Sequence, residues 1–193
     1  MNKPKIQNVV STVTLLQEDN SCLDLDFISK QLENAKYDPK KFSALIIRNF
    51  EPIRSTALLF SNGRLVCVGT KSSAQALEAV KNFTKQIARV RPTTIKEGTF
   101  KIQNIVSSFR FPKALNLPAL YDTLRIVPYE WFSPYISFNQ EIFPGMCLRI
   151  KNSTIVVLLF TTGKCIITGA KKEEDVYNIH NNIYETIAIF MKR

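Results

Sequence analysis

A block near the start of the chain, Ile6-Gln7-Asn8-Val9-Val10-Ser11, returns 96 residues later as Ile102-Gln103-Asn104-Ile105-Val106-Ser107. A duplication constrains the fold more tightly than composition does, because one local pattern must be built twice. The repeat continues along the chain. Leu58-Leu59-Phe60 returns as Leu158-Leu159-Phe160, and Gly63, Gly69 and Lys71 match Gly163, Gly169 and Lys171, all at an offset of 100. Phe42 through Arg48 matches Phe143 through Arg149 at an offset of 101. A drifting offset places short insertions in loops between shared elements. Two repeats are expected, 1–98 and 99–193, divided near the polar stretch Arg91-Pro92-Thr93-Thr94-Ile95-Lys96-Glu97-Gly98. The second is longer between its first strand and Phe143.

Each repeat reads as strand, helix, four or so strands, helix. Ile6 to Leu16 is β-branched and apolar, the pattern of a strand. Asp24 is placed to cap a helix carrying Phe27, Ile28 and Leu32, which Tyr37-Asp38-Pro39 is expected to end. Strands follow near 42–50, 54–61 and 64–70, with Asn62-Gly63 as a hairpin signal and Thr162-Gly163 as its counterpart. The closing helices bury Ala76, Ala79, Val80, Phe83 and Ile87 in one repeat and Val176, Ile179, Ile183 and Ile187 in the other. In the strand before each hairpin both faces are apolar: Leu58 and Phe60 against Ala57 and Leu59, then Val156, Leu158 and Phe160 against Val157 and Leu159. Two helices per five strands cover one face only. The other face is expected to meet a second sheet, a second copy or a ligand.

Charge narrows the ligand. The net charge is +10, shared as about +6 and +4 between the repeats, so an anionic partner is expected, either nucleic acid or an anionic membrane surface. The longest apolar runs, such as Ile155 to Phe160, have strand length, and the start Met1-Asn2-Lys3-Pro4-Lys5 is no signal peptide. With so short a leader before Ile6, any regulatory N-terminal tail is expected to be absent from this chain. Cys22, Cys67, Cys147 and Cys165 form no paired motif and read as reduced thiols.

The segments IQNVVSTV and IQNIVSSF, YDPKKFSALIIR, TALLFSNGRLVCVGTKS, EIFPGMCLRI and IVVLLFTTGKCIITGAKK stand in order across the duplicated frame. Together they resemble the TATA-box-binding protein family almost end to end, a family that includes the TATA-binding-protein-related factors. The weakest stretch is Pro112 to Asn139, where Tyr129-Glu130-Trp131-Phe132-Ser133-Pro134 is unlike the family. The resemblance implies an α+β fold. Two pseudo-symmetric repeats would form one curved, saddle-shaped antiparallel sheet of about ten strands, with four helices on the convex face. It implies a general transcription initiation factor, acting in the nucleus, that binds the minor groove of TATA-type A·T-rich promoter DNA, kinks it and nucleates preinitiation complex assembly. The basic balance matches eukaryotic members, since archaeal relatives tend to be acidic.

By the same resemblance, Phe42 and Phe60 with Phe143 and Phe160 are wedges that unstack base steps, with Pro144 beside the second pair. Asn8 and Asn104 would donate to adenine N3 or thymine O2. Val10, Leu58, Val66, Val68, Val106, Val156, Leu158, Ile166 and Thr168 would form an apolar floor with no partner for the guanine amino group. Arg48, Arg64, Lys71, Arg149, Lys164 and Lys171 would contact phosphates. Implied partners are transcription factors IIA and IIB and TATA-binding-protein-associated factors, with no membrane and no cofactor. The protein would bind DNA as a monomer and pair weakly with itself off DNA.

Three departures from the family stand out. Val68-Gly69 replaces the Thr-Gly that Thr168-Gly169 keeps, so the first floor lacks a hydroxyl there. In the segment expected to meet transcription factor IIB, with Glu141 and Ile142, Asn139 stands where the family has Glu. The helix after Lys71 carries Glu78 and is less basic than usual.

An enzyme is not indicated. The single histidine, His180, sits on a helix where a surface or helix-packing role is expected, no His/Cys/Asp cluster has metal spacing, and no phosphate-binding glycine loop occurs. The alternative reading is a transcription adaptor that keeps the saddle and works mainly through protein partners. A nucleic-acid enzyme with a saddle-like domain is disfavoured, because no chain remains for a catalytic domain.

Overall fold

The computed structural model describes residues 3–17, 21–127 and 132–191, with only the backbone described for 132–135. The chain divides into two compact units: Asn8–Gln103, called here the first unit, and Met1–Gln7 with Asn104–Arg193, the second. The stretch Tyr129-Glu130-Trp131 lies outside the described residues.

The first unit is built from β1 (Lys5–Gln17, from Asn8 onward), α1 (Leu25–Gln31), β2 (Ala35–Asp38), β3 (Phe42–Asn49), β4 (Ser55–Leu59), β5 (Arg64–Thr70), α2 (Ser73–Ala88) and β6 (Thr93–Ile95). Its strands pair antiparallel in the order β2-β3-β4-β5-β1, and β6 adds to β1 through Leu15↔Ile95 and Gln17↔Thr93. The polar stretch expected to separate the repeats therefore contributes a short strand. The second unit contains β7 (Lys101–Arg110, from Asn104 onward), α3 (Leu117–Ile126), β8 (Phe132–Ser137), β9 (Gly145–Ile150), β10 (Val156–Phe160), β11 (Lys164–Ala170), α4 (Glu173–Ile187) and a short 3-10 turn at Ala188–Phe190. Its strand order is β7-β11-β10-β9-β8. The extra length before Phe143 includes α3, ten residues against the seven of α1.

Local chemistry explains most boundaries. Asp24 caps α1 as expected, its Oδ1 accepting from Phe27 N at 3.0 Å. Ser72 does the same for α2, accepting from Gln75 N at 3.1 Å. Each central hairpin turns in the same way. Gly63 N donates to Phe60 O at 3.0 Å, and Gly163 N to Phe160 O at 2.9 Å. The glycines have φ of +82° and +81°, the left-handed residue that follows a type I turn in such loops. A Cβ on Gly63 would lie 2.3 Å from Leu15 O, and on Gly163 2.5 Å from Lys113 O, so only glycine fits either place.

One boundary differs from the sequence reading. Helix α1 stops at Gln31 rather than running to Tyr37-Asp38-Pro39. Leu32 is already extended, and Ala35 and Lys36 pair with Ile47 and Ile46 of β3. Asn34 fixes the change of direction, its Nδ2 donating to Arg48 O and its carbonyl accepting from Arg48 N. Hydrogen bonds to the neighbouring strand replace those another helical turn would have made.

Each core lies between sheet and helices. In the first unit Leu45, Ile47, Ala57, Leu59, Leu65 and Cys67 are fully buried with Ala79, Val80, Phe83 and Ile87 of α2. In the second, Met146, Leu148, Val157, Leu159, Cys165 and Ile167 are buried, as are Val176, Ile183 and Ile187 of α4. Burial of a side chain such as Phe83 stabilises the fold by about 1.5–3 kcal/mol. Of the surface and packing roles the sequence left open, His180 takes packing. It is buried, edge-on to Phe109 at 4.5 Å between ring centroids.

Candidate nucleic-acid interface

The strand alternation assigns each residue to a face. On β4, Ala57 and Leu59 are fully buried while Thr56 and Leu58 are half-exposed. On β10, Val157 and Leu159 are buried while Val156, Leu158 and Phe160 are half-exposed. The other strands agree. Asn8, Val10, Ile46, Val66 and Val68 in the first unit are half-exposed, as are Asn104, Val106, Cys147, Ile166 and Thr168 in the second. Cross-strand pairs align them: Ile46↔Leu58↔Val66 in one unit and Cys147↔Leu158↔Ile166 in the other. Each unit thus presents a mainly apolar sheet face that its own helices leave open. Water is a poor neighbour for such a face, which makes it a candidate binding surface.

At one end of each floor two phenylalanines stand together. Phe42 and Phe60 have ring centroids 6.4 Å apart, and Phe143 and Phe160 have theirs 5.8 Å apart, both pairs at 66°. The outer rings remain open to solvent, Phe42 at 43% and Phe143 at 40%. Edge-to-face contact holds the rings against each other without burying them. Beneath the second pair, Gly145 leaves the space. A Cβ there would lie 2.8 Å from Phe143 Cε1 and 3.1 Å from Phe160 Cε1. Pro144 is exposed beside it.

The two asparagines serve the backbone as well as facing the floor. Asn8 Oδ1 accepts from Gly69 N, and Asn104 Oδ1 from Gly169 N, each at 2.7 Å. Gly69 and Gly169 have φ of +102° and +91°, and the register slips beside both, so each carboxamide oxygen fastens an irregular strand end. That bond also orients the amide. A backbone N–H can only donate, so the NH2 group of each asparagine points away from the glycine. In the second unit Asn104 Nδ2 lies 3.3 Å from Thr168 Oγ1.

Cations edge the floors. Arg48 and Arg64 in the first unit and Arg149 and Lys164 in the second are exposed and share strand parity with the floor, and Lys71 and Lys171 are exposed just past the irregular strand ends. The first unit adds a residue that repeat pairing could not find. Arg54, with Arg48, Lys71 and Gln75, lines a cleft of about 580 Å³. It sits in the loop before β4, which is one residue longer than its counterpart, so no matched partner marks it in the sequence.

The turn ahead of Phe143 is shaped by Asn139. Its Oδ1 accepts from Glu141 N at 3.0 Å, and its carbonyl accepts from Phe143 N at 2.9 Å. Glu141 is exposed and Ile142 is 83% exposed. All four cysteines are free thiols. Burial pushes the Cys67 thiol up to about 11 and raises Cys165 well above its ordinary value, whereas Cys22 is exposed. Among the described residues no group of His, Cys, Asp and Glu could hold a metal, and no helix is long and apolar enough to cross a membrane.

These features define a class: a duplicated α+β protein whose units each carry an antiparallel sheet with one helix-covered face and one open, cation-edged apolar face. The family model described as "Transcription factor TFIID (or TATA-binding protein, TBP)" matches residues 3–90 and again 99–190. The chain belongs to the TATA-binding protein family, a family of transcription factors and not of enzymes. It is 39% identical over 190 residues to the TATA-box-binding protein 2 of Arabidopsis thaliana, covering 98% of this chain and 88% of that one. It is 39% identical over 190 residues to the TATA-box-binding protein of Spodoptera frugiperda, covering 98% and 57%. It is 38% identical over 192 residues to the TATA box-binding protein-like 2 of Takifugu rubripes, covering 98% and 55%. The chain thus spans little more than half the length of several relatives it matches. The solved structure of Methanococcus jannaschii TBP matches with a TM-score of 0.74 at 32% identity, covering 97% of this chain and 99% of that one, and this chain shares its fold.

Proposed function

We propose that this chain is a nuclear transcription initiation factor that binds the minor groove of A·T-rich promoter DNA and bends it. The observation that carries this reading is the open apolar floor of each unit with its exposed phenylalanine pair. Repeats 1–98 and 99–193 would act as duplicated readers, each floor taking its own stretch of duplex. A floor of Val, Leu and Ile side chains offers the guanine amino group no acceptor and so favours A·T pairs. Phe42 with Phe60 and Phe143 with Phe160 would enter base steps, and the bend lets DNA cover more protein surface. The amides of Asn8 and Asn104 would donate to groove acceptors, and Arg48, Arg54, Arg64, Lys71, Arg149, Lys164 and Lys171 would approach phosphates.

Energy transfer between dyes on the two ends of an A·T-rich duplex tests the reading. Binding should shorten the end-to-end distance, and a G·C-rich duplex should neither bind as tightly nor bend. Binding without shortening overturns it. The salt dependence should be shallower than that of a protein making the same number of phosphate contacts without an apolar floor.

Transcription factors are the proposed protein partners: IIA, IIB and the TATA-binding-protein-associated factors. The exposed Glu141 and Ile142 are the proposed contact for factor IIB. Because Asn139 replaces a carboxylate and spends its side-chain oxygen on the turn, a factor IIB from a distant lineage should bind the DNA complex more weakly than the cognate one. Equal binding on the same DNA would refute this. The similarity to TATA box-binding protein-like 2 of Takifugu rubripes supports a second reading, an adaptor acting mainly through proteins. Absence of any mobility shift with A·T-rich duplex would select it.

A further inference from the structure

We infer that Thr168 is a positioning residue for the Asn104 amide, and that the lack of this arrangement around Asn8 gives the protein a preferred direction on A·T-rich duplex. The inference rests on the minor-groove reading above and deepens it. Both asparagines use Oδ1 to hold a glycine N–H at 2.7 Å, so both present an NH2 group to the floor. Their surroundings then differ. Thr168 Oγ1 lies 3.3 Å from Asn104 Nδ2 and 3.5 Å from its Oδ1, contacts that limit rotation of the carboxamide. At the matching place beside Asn8 stands Val68, which has no acceptor.

The hydroxyl has not vanished from the first unit but has changed strand. Thr56 of β4 faces Val68 of β5, whereas in the second unit Val156 of β10 faces Thr168 of β11. The Thr–Val pair is kept and inverted. Strand β5 lies between β4 and β1, so Thr56 is two strands from Asn8, roughly 9–10 Å, beyond direct hydrogen-bond reach. The second unit therefore offers a donor latched by both glycine and threonine, while the first offers an amide held by its oxygen alone and, separately, a hydroxyl farther out on its floor.

A latched donor loses less rotational freedom when it binds and tolerates a misplaced acceptor poorly. The second unit should be the stricter reader, and an A·T-rich site with unequal halves should be bound mostly in one direction. Immobilising one polar side chain is worth roughly a three- to tenfold difference, which sets the expected bias.

Two measurements test this. In the DNA-free protein, side-chain amide hydrogen exchange should be several-fold slower at Asn104 than at Asn8. Val68→Thr should slow the Asn8 amide, Thr168→Val should speed the Asn104 amide, and Thr168→Ser should leave it slow. On DNA, a donor dye coupled to Cys22 after the complex has formed, where duplex on the floor covers Cys147, with an acceptor on one duplex end, reports the two directions as two transfer efficiencies. Either single variant should move the populations toward parity, because it makes the units alike. The exchanged variant Val68→Thr/Thr168→Val should reverse the bias. A merely structural threonine would change affinity and leave the ratio alone. Equal amide exchange in the parent, or a parent that binds and bends while all variants keep its direction ratio, overturns the inference. A parent that does not bind A·T-rich duplex overturns the minor-groove reading and this inference with it.

Discussion

The two phenylalanine pairs have ring centroids 6.4 Å and 5.8 Å apart at the same 66°, and the second stands over Gly145, whose matched residue in the first unit is Ala44. The helices behind the sheets differ more. Helix α2 exposes Lys81 and Lys85, with Arg89 as its C-cap, whereas α4 opens with Glu173, Glu174 and Asp175 and contains no Lys or Arg. The turns do not differ in this way. Gly63 and Gly163, and Gly69 and Gly169, share left-handed conformations, and Asn8 and Asn104 each accept from the strand-end glycine N–H at 2.7 Å. The two units agree where the backbone leaves one solution and diverge where only a partner would sense the difference. A helix surface can change sign without cost to the core beneath it. A left-handed strand end cannot change residue without strain.

The comparison can be broken most severely at the strand-end glycines. A Cβ on Gly169 would lie 2.2 Å from Thr154 O, while one on Gly69 meets Arg54 O only at 3.6 Å. Gly69→Ala carries the penalty of the left-handed region alone, about 1–2 kcal/mol. Gly169→Ala adds a clash with a carbonyl and should cost roughly 3 kcal/mol or more. Chemical denaturation of the two variants checks the order, and equal losses would show that the loop before β10 yields as readily as the one before β4.

Removing one wedge pair at a time comes next. Phe143→Ala with Phe160→Ala should weaken binding at least about thirtyfold and reduce the bend, as loss of about 2 kcal/mol of central contact implies. The matched change at Phe42 and Phe60 should do the same at the other end. Neutralising Arg64 and Lys71 together should lower affinity while leaving the bend, because exposed charges contribute screened and distributed attraction. If the charge variant loses the bend first, the roles assigned to rings and charges are wrong.

A smaller effect separates the floors directly. Cys147 shares strand parity with Arg149 and pairs with Leu158, and Ile46 holds its place in the first unit. With Cys67 raised to about 11 and Cys165 well above its ordinary value, only about one Cys67 thiol in a thousand is ionised at pH 8, so burial leaves alkylation to Cys22 and Cys147. A·T-rich duplex should slow alkylation of Cys147 about tenfold or more and leave Cys22 unchanged. Ile46→Cys should give the first floor the same protection. Unprotected Cys147 in a saturated complex would move the DNA off this face.

The repeat and the strand alternation were legible in the chain because both are periodic, and periodicity survives without knowledge of neighbours. So were the capping role of Asp24, the hairpins at Gly63 and Gly163, and the faces of α2 and α4, each set by bonds within a few residues. Tertiary structure decided the rest. Helix α1 stops at Gln31 because β3 supplies strand partners to Ala35 and Lys36, a competition that no local pattern contains. Arg54 joins Arg48 and Lys71 because a loop returns its end to theirs. The sequence showed a missing hydroxyl at Val68. Only the cross-strand register showed that the hydroxyl stands on Thr56 instead, and only the glycine N–H bonds fixed which way the Asn8 and Asn104 amides face. Side-chain identity is written along the chain, but hydrogen-bond direction depends on a partner some 60 residues away, and that distance closes only on folding.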